Sequence, residues 1–227
     1  MWNLLRSSVG KKAVMGATGL VLVGFVIMHL LGNLMIYFGP EALNAYAAKL
    51  RHLGVLLWAA RLVLAAAVSI HIWLSIVLAR ENRAARPIGY AMQRSARTTF
   101  GARTMMLSGL LLLAFIVYHL LHFTFRVTHP DISHLTDALG RHDVYAMVML
   151  SFQDPLLVVA YVAAMALLCL HLGHGIASWC QSLGLNNERT LPLTERVGRL
   201  IAWAIFLGYS SIPVSIYAGF VKPGGLY

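Results

Sequence analysis

Acidic residues are scarce in this sequence: eight Asp and Glu stand against eighteen Lys and Arg, and all charged residues together make up 11% of its 227 positions. A soluble domain carries roughly 25%, so an ordinary water-borne globule is excluded. Cysteine is also nearly absent. Cys169 and Cys180 share one apolar run, which leaves no disulfide framework, no C-x-x-C-H for covalent haem attachment and no cysteine cluster for an iron–sulfur centre. They read as small apolar residues. No glycine-rich dinucleotide fingerprint is present either.

What the chain has in abundance is apolar length, with 59% of its residues hydrophobic. A helix rising about 1.5 Å per residue needs roughly 20 residues to cross a hydrocarbon core of about 30 Å. Five runs reach that length: 13–38, 55–79, 104–125, 156–179 and 197–220. The expected fold is all-α, a single membrane domain over 1–227 made of five transmembrane helices. The first run is too long for a signal peptide's apolar core and carries His29 and Asn33, so it is kept as a span. Two connections show helical spacing of their own. The stretch "PEALNAYAAKLRHL" (40–53) opens on Pro40-Glu41 and is expected to lie along the membrane surface. A similar helix is expected over 131–150, capping the same end. No repeat at a fixed period stands out.

The net charge of +10 raises nucleic acid as a partner, but its distribution argues against it. Twelve basic residues, among them Arg6, Lys11, Lys12, Arg80, Arg83, Arg86, Arg94, Arg97 and Arg103, fall in the N-terminus and every second loop. Lys49, Arg51, Arg126, Arg141 and Lys222 lie on the other side, with Arg61 inside the second span. The bias predicts a cytoplasmic N-terminus and an outer C-terminus. The basic loop from Arg80 to Arg103, which includes Pro87, suits anionic lipid headgroups or an acidic soluble partner.

An ionisable side chain inside a membrane span is costly and by default functional. Six of the ten histidines lie in spans: His29, His71, His119, His122, His171 and His174. Counted from the start of each run, His29, His71, His119 and His171 come roughly 22 to 24 Å from their entry surfaces. Successive helices enter from opposite faces, so these four form two pairs, His29 with His119 and His71 with His171, separated by roughly 14 Å across a core of about 30 Å. Paired neutral imidazoles on different helices at one depth are what a six-coordinate haem iron needs, and two such sites would make an electron wire across the bilayer. Each histidine alone could simply bond a neighbouring carbonyl. A proton relay would be expected to bring buried carboxylates, and none lies well inside a span. A zinc site would gather its ligands at one point. His122 and His174 follow His119 and His171 by three residues, about 60° round and 4.5 Å along, and depth does not choose within either couple. Gly16, Gly19 and Gly24 on the first span would let a helix or a flat cofactor approach closely.

The stretches "GKKAVMGATGLVLVGFVIMHLLGN", "ARLVLAAAVSIHIWLSIVLARENRAARPIGY", "TTFGARTMMLSGLLLLAFIVYHLLHFT" and "LHLGHGIASWCQSLGLNN" together resemble the five-helix, dihaem cytochrome b membrane anchor of succinate:quinone oxidoreductases and fumarate reductases. The resemblance implies two haem b groups between helices one to four. His29 and His119 would be axial ligands of an outer haem and His71 and His171 of an inner one, with the fifth helix flanking. It also implies His122 and His174 as neighbours of a haem or partners of a propionate, a structural role being the alternative for each. Arg61 and Arg103 are propionate candidates at the outer and inner haem. The implied partners are a flavoprotein subunit, which oxidises succinate, an iron–sulfur subunit, membrane lipids and a quinone such as menaquinone. The implied location is a bacterial cytoplasmic membrane. Quinone-site candidates at the outer end are Asn33, His52, Arg61, Gln153 and Asp154; a glutamate used there by some family members has no counterpart. The alternatives are a dihaem cytochrome b of a hydrogenase or formate dehydrogenase, fumarate reduction in the reverse direction, or a haem-free transporter or assembly protein using its histidines for protons.

Overall fold

The computed structural model describes residues 4–85, 100–182, 184, 187 and 189–222, and the side chains of these except Leu4 and residues 100–103. The readings on Arg86, Pro87, Arg94 and Arg97, and on the side chain of Arg103, lie outside the described residues. Among the described residues the chain is helical, with one isolated bridge between Thr136 and His142 and no strands.

Helix α1 (Ser8–Asn33) starts where the Ser7 side chain accepts from the Gly10 N–H at 3.0 Å, satisfying one of the donors a helix start leaves open. It tightens into a 3-10 turn, Leu34–Phe38, and stops at Gly39, whose φ of 92° suits a residue without a Cβ. Pro40 then opens α2 (Pro40–His52), with Glu41 in its first turn and Lys49, Arg51 and His52 in its last, each on the side the helix dipole favours. Helix α3 (Val55–Ala84) returns across the span. Helix α4 (Phe100–His119) passes into a π-helical turn, Leu120–Thr124, closed by the Phe125 N–H to the Leu120 carbonyl. The expected helix over 131–150 is instead two short ones, α5 (Pro130–Ser133) and α6 (Val144–Ser151), because Gly140 at φ 72° and the Asp137 turn break the run. Helices α7 (Pro155–Ser182) and α8 (Leu191–Tyr217) complete the bundle.

Among the described residues, five helices are long and apolar enough to cross a membrane: Ser8–Phe38, Val55–Ala84, Thr104–Thr124, Pro155–Ser182 and Leu191–Tyr217. They overrun the expected spans at several ends because helix geometry continues into the polar flanks, where Lys11 of α1 pairs with Glu81 of α3. That pair puts the start of α1 and the end of α3 at one end of the bundle, here the basic end. The other, capped end carries α2, α5 and α6. Helix α7 is central, packing on α8, α4 and α1, while α1 packs on α3. Large apolar side chains such as Phe25, Met28, Leu62, Trp73, Leu107, Leu200 and Trp203 face outward. Such contiguous apolar surface is untenable in water and ordinary in lipid. The chain is a multi-pass helical membrane protein.

The main core lies at the capped end, where Ile36, Leu43, Tyr145, Phe152, Tyr161 and Ile216 interdigitate. Buried polar groups fix its lid. Asn44, 1% exposed, donates to Asp143 Oδ1 at 2.9 Å and accepts from the Tyr145 N–H at 3.0 Å, tying α2 to the start of α6. Arg141 adds an exposed clasp, donating to Glu41 at 3.0 and 2.5 Å and to Asp137 at 2.7 Å. Its hydrogen bond holds the Glu41 carboxyl below the ordinary carboxylate range. A depressed carboxylate stabilises above its unfolded pKa and loses that contribution as pH falls through its folded value, so the clasp should loosen only in acid.

Asn44→Ala leaves a buried N–H and a carboxylate oxygen without this partner, which costs about 1–3 kcal/mol. Thermal unfolding in detergent should show a lower Tm for Asn44→Ala, and an unchanged Tm would mean the tie contributes nothing.

Candidate functional site: two tiers of paired histidines

Helices α1 and α4 carry His29 and His119 to one level. Their ring centroids lie 5.9 Å apart with planes at 85°. Two imidazoles on opposite sides of one metal ion, each with a metal–nitrogen bond of roughly 2.0 Å, hold their centroids roughly 6 Å apart. The observed 5.9 Å between centroids is close to that spacing. Phe25 stacks on His29 at 5.2 Å and Phe115 lies against His119 at 5.8 Å, so each ring is backed by an aromatic one turn earlier.

The second tier is formed by α3 and α7. The His71 ring edge lies against Gly19 of α1, where an added Cβ would come within 3.3 Å of Cε1, and the His171 ring edge lies against Gly109 of α4, at 3.4 Å. Gly19 precedes His29 by ten residues and Gly109 precedes His119 by ten. At about 1.5 Å per residue both rings sit about 15 Å from the first tier along their neighbours' axes, so they share a level. Among the described residues no three His, Cys, Asp or Glu side chains gather as a metal site; the histidines come as pairs.

Hydrogen bonds assign the ring nitrogens. His71 Nδ1 lies 3.1 Å from the Met15 carbonyl oxygen. A carbonyl only accepts, so Nδ1 carries the hydrogen and Nε2 keeps its lone pair. His171 Nδ1 lies 3.1 Å from Ser108 Oγ, whose own hydrogen goes to the Met105 carbonyl at 3.1 Å, so this Nδ1 also donates. At His119 the assignment runs through a longer chain. Ser151 donates to the Met147 carbonyl at 2.7 Å and therefore accepts from His122 Nε2 at 3.1 Å. His122 Nδ1 then accepts from the Tyr161 hydroxyl at 2.9 Å, which leaves the Tyr161 oxygen facing His119 Nδ1 at 3.5 Å. At His71 and His171 Nδ1 is held and Nε2 keeps its lone pair, and the longer 3.5 Å contact at His119 points the same way; an Nδ1–H held in this manner is also how metal-ligating histidines are oriented.

His122 is held by the protein on both sides of its ring. It is 0% exposed, and both ring nitrogens are engaged by protein. The π turn contributes to this: an i→i+5 turn advances fewer degrees per residue, so His122 lies farther round from His119 than the 60° of a regular α-helix. In this structure His122 ties the π turn to α6 and α7, the structural role that was the alternative to a place beside a propionate. His174 bonds Ser178 Oγ at 3.0 Å, one turn on along α7.

The quinone candidates do not gather into one cluster. Asn33 donates to the His29 carbonyl at 2.7 Å. Arg61 is exposed and lies 5.0 Å over the ring of Trp58 on its own helix, so it is not turned toward the first tier. His52 is exposed, and Asp154 caps the start of α7 by accepting from the Leu156 N–H at 2.8 Å. Gln153 lines an open pocket of about 440 Å³ at the capped end with Met149, Leu150, Tyr217 and Lys222. Of the glycines, Gly16 seats Trp179, and a Cβ at Gly24 would meet nothing within 4 Å. Sequence reasoning missed Tyr161, Ser151, Thr18 and Ser108 as supporting residues, since isolated hydroxyls in apolar runs carry no periodic signal.

The fold and site define a multi-pass helical membrane protein with two tiers of paired histidines. The chain matches no family model, no curated protein and no solved structure, so the resemblance to dihaem anchors rests on the residues themselves.

Tyr161→Phe removes the donor to buried His122 and the oxygen facing His119. It should cost about 1–3 kcal/mol, read as a fall in Tm; an unchanged Tm would show that the chain through His122 holds nothing.

Proposed function

We propose that this protein is the dihaem cytochrome b membrane anchor of a succinate:quinone oxidoreductase, handing electrons between an iron–sulfur subunit and a quinone, with menaquinone the expected type. The observation that carries the reading is the two histidine tiers about 15 Å apart, with Nδ1 held at three of the four rings. Haem bound at each tier would supply reversible one-electron transfer. The chain's own part is to hold neutral imidazoles in hydrocarbon, keep Nε2 unprotonated, and set two sites on opposite sides of the bilayer midplane. His29 with His119 would hold the haem of the capped end, and His71 with His171 that of the basic end.

The reading places the protein in a bacterial cytoplasmic membrane, and the charge bias supports a cytoplasmic side for the basic end. Exposed Arg80, Arg83 and Arg199 there suit acidic surfaces of the iron–sulfur and flavoprotein subunits. Succinate oxidation, or fumarate reduction in reverse, would take place on those subunits. A quinone would approach from lipid at the capped end, where Asn33 lies one turn beyond His29 and Gln153 lines the open pocket.

The test is a dithionite-reduced minus oxidised spectrum with a haemochrome count on the purified complex, together with a search for copurifying flavin. Two b-type haems per chain and a flavin-bearing subunit are expected. A colourless preparation would overturn the reading in favour of a proton-handling protein. Two haems without flavin would assign the chain to another oxidoreductase.

A further inference from the structure

Helices α1 and α4 share a spaced motif at a constant offset of ninety residues. In α1 it reads Met15-x-x-Thr18-Gly19, then Phe25 and His29-Leu30-Leu31; in α4 it reads Met105-x-x-Ser108-Gly109, then Phe115 and His119-Leu120-Leu121. The match is repeated in three dimensions. The hydroxyl and glycine of each helix meet a histidine of the next membrane-spanning helix, α3 or α7: Thr18 Oγ1 lies 3.3 Å from His71 Nδ1 and Ser108 Oγ lies 3.1 Å from His171 Nδ1. Each glycine admits the edge of the same ring. One turn-and-ring motif thus does two jobs at two depths: its first half seats a second-tier ring, and its second half supplies a first-tier histidine.

We propose that Thr18-Gly19 and Ser108-Gly109 are matched positioning residues for the His71–His171 tier, the hydroxyl accepting from Nδ1–H and the glycine letting the ring edge lie against the helix so that Nε2 is aimed at the bound metal. This rests on the haem reading. The hydroxyls are oriented for the task because each donates its own hydrogen down its own helix: Thr18 to the Met15 or Val14 carbonyl at 2.9 or 3.1 Å, Ser108 to the Met105 carbonyl. Only lone pairs are left to face the ring. The two seats differ in one respect. His71 Nδ1 has the Met15 carbonyl as a second acceptor at 3.1 Å, whereas Ser108 Oγ is the acceptor at His171. Loss of the hydroxyl therefore strips His171 of its acceptor but leaves His71 with one.

An Nδ1–H that has an acceptor makes the imidazole a stronger donor to metal and favours the more highly charged iron; losing such a partner weakens metal affinity about 10- to 100-fold. The experiment uses the intact complex with Ser108→Ala, Thr18→Val and, as a control, Ser75→Ala, whose hydroxyl bonds only within α3. The readouts are the midpoint potential of each haem and its low-spin resonance signal. Ser108→Ala should raise one potential, shift one signal and lower that haem's occupancy; Thr18→Val should move the same haem by less, and Ser75→Ala neither. The unshifted second haem reports that the variant has folded. Two haems in the parent protein with both potentials unmoved in Ser108→Ala, or a shift of the His29–His119 haem instead, would overturn the positioning role alone. No haem in the parent protein would overturn the haem reading and this inference with it.

Discussion

An imidazole inside hydrocarbon must give its N–H to an acceptor, and the position of that acceptor decides which nitrogen keeps a lone pair. In this protein the acceptor sits on the Nδ1 side at three of the four paired histidines: the Met15 carbonyl and Thr18 for His71, Ser108 for His171, Tyr161 for His119. Burial of the donor and aiming of Nε2 are therefore one constraint. The same constraint explains why α1 must pack on α3 and α4 on α7, since each acceptor belongs to the neighbouring helix. Glycine at position 19 fits it as well, because a Cβ there would come within 3.3 Å of the His71 ring, while at 109 the His171 ring lies at contact distance, 3.4 Å.

The two ends of the bundle are stabilised differently. At the capped end, buried side chains of α2, α6, α7 and α8 form a contiguous core, and Asn44, His122 and Ser151 are satisfied inside it. Toward the basic end the core shrinks to Leu172, Ala202 and Ile205 with their neighbours, and the helices present much of their apolar surface outward. Lipid does not penalise that surface, so association there depends on close steric fits and on polar contacts. Trp179 lying over Gly16 and the Lys11–Glu81 pair are two such contacts.

The spans and the pairing of histidines were legible because both follow from length: a hydrocarbon thickness and a rise per residue convert position into depth. His119 and His122 were not separable that way, since three residues of helix shift depth by less than span boundaries wander. The features that distinguish their surroundings, the π turn and the Tyr161–His122–Ser151 chain, include contacts between residues far apart in sequence. The 131–150 stretch misled for a local reason: its apolar spacing is helical, but Gly140 and the Asp137 turn interrupt it. The motif shared by α1 and α4 escaped a search for fixed periods because it occurs only twice, and its meaning lies in what Thr18 and Ser108 touch across helices. Asn33, His52, Arg61, Gln153 and Asp154 were chosen by nearness to one end, and proximity along the membrane normal says nothing about azimuth round the bundle.

On the proposed reading His119, whose Nδ1 faces Tyr161 and whose ring faces His29, is a metal ligand while its neighbour His122 is structural. Haem stoichiometry in His119→Ala and His122→Ala, measured side by side on purified complex, tests it most directly. The account predicts one haem per chain in His119→Ala and two, in a less heat-stable protein, in His122→Ala. Two haems retained in His119→Ala with one lost in His122→Ala would contradict it.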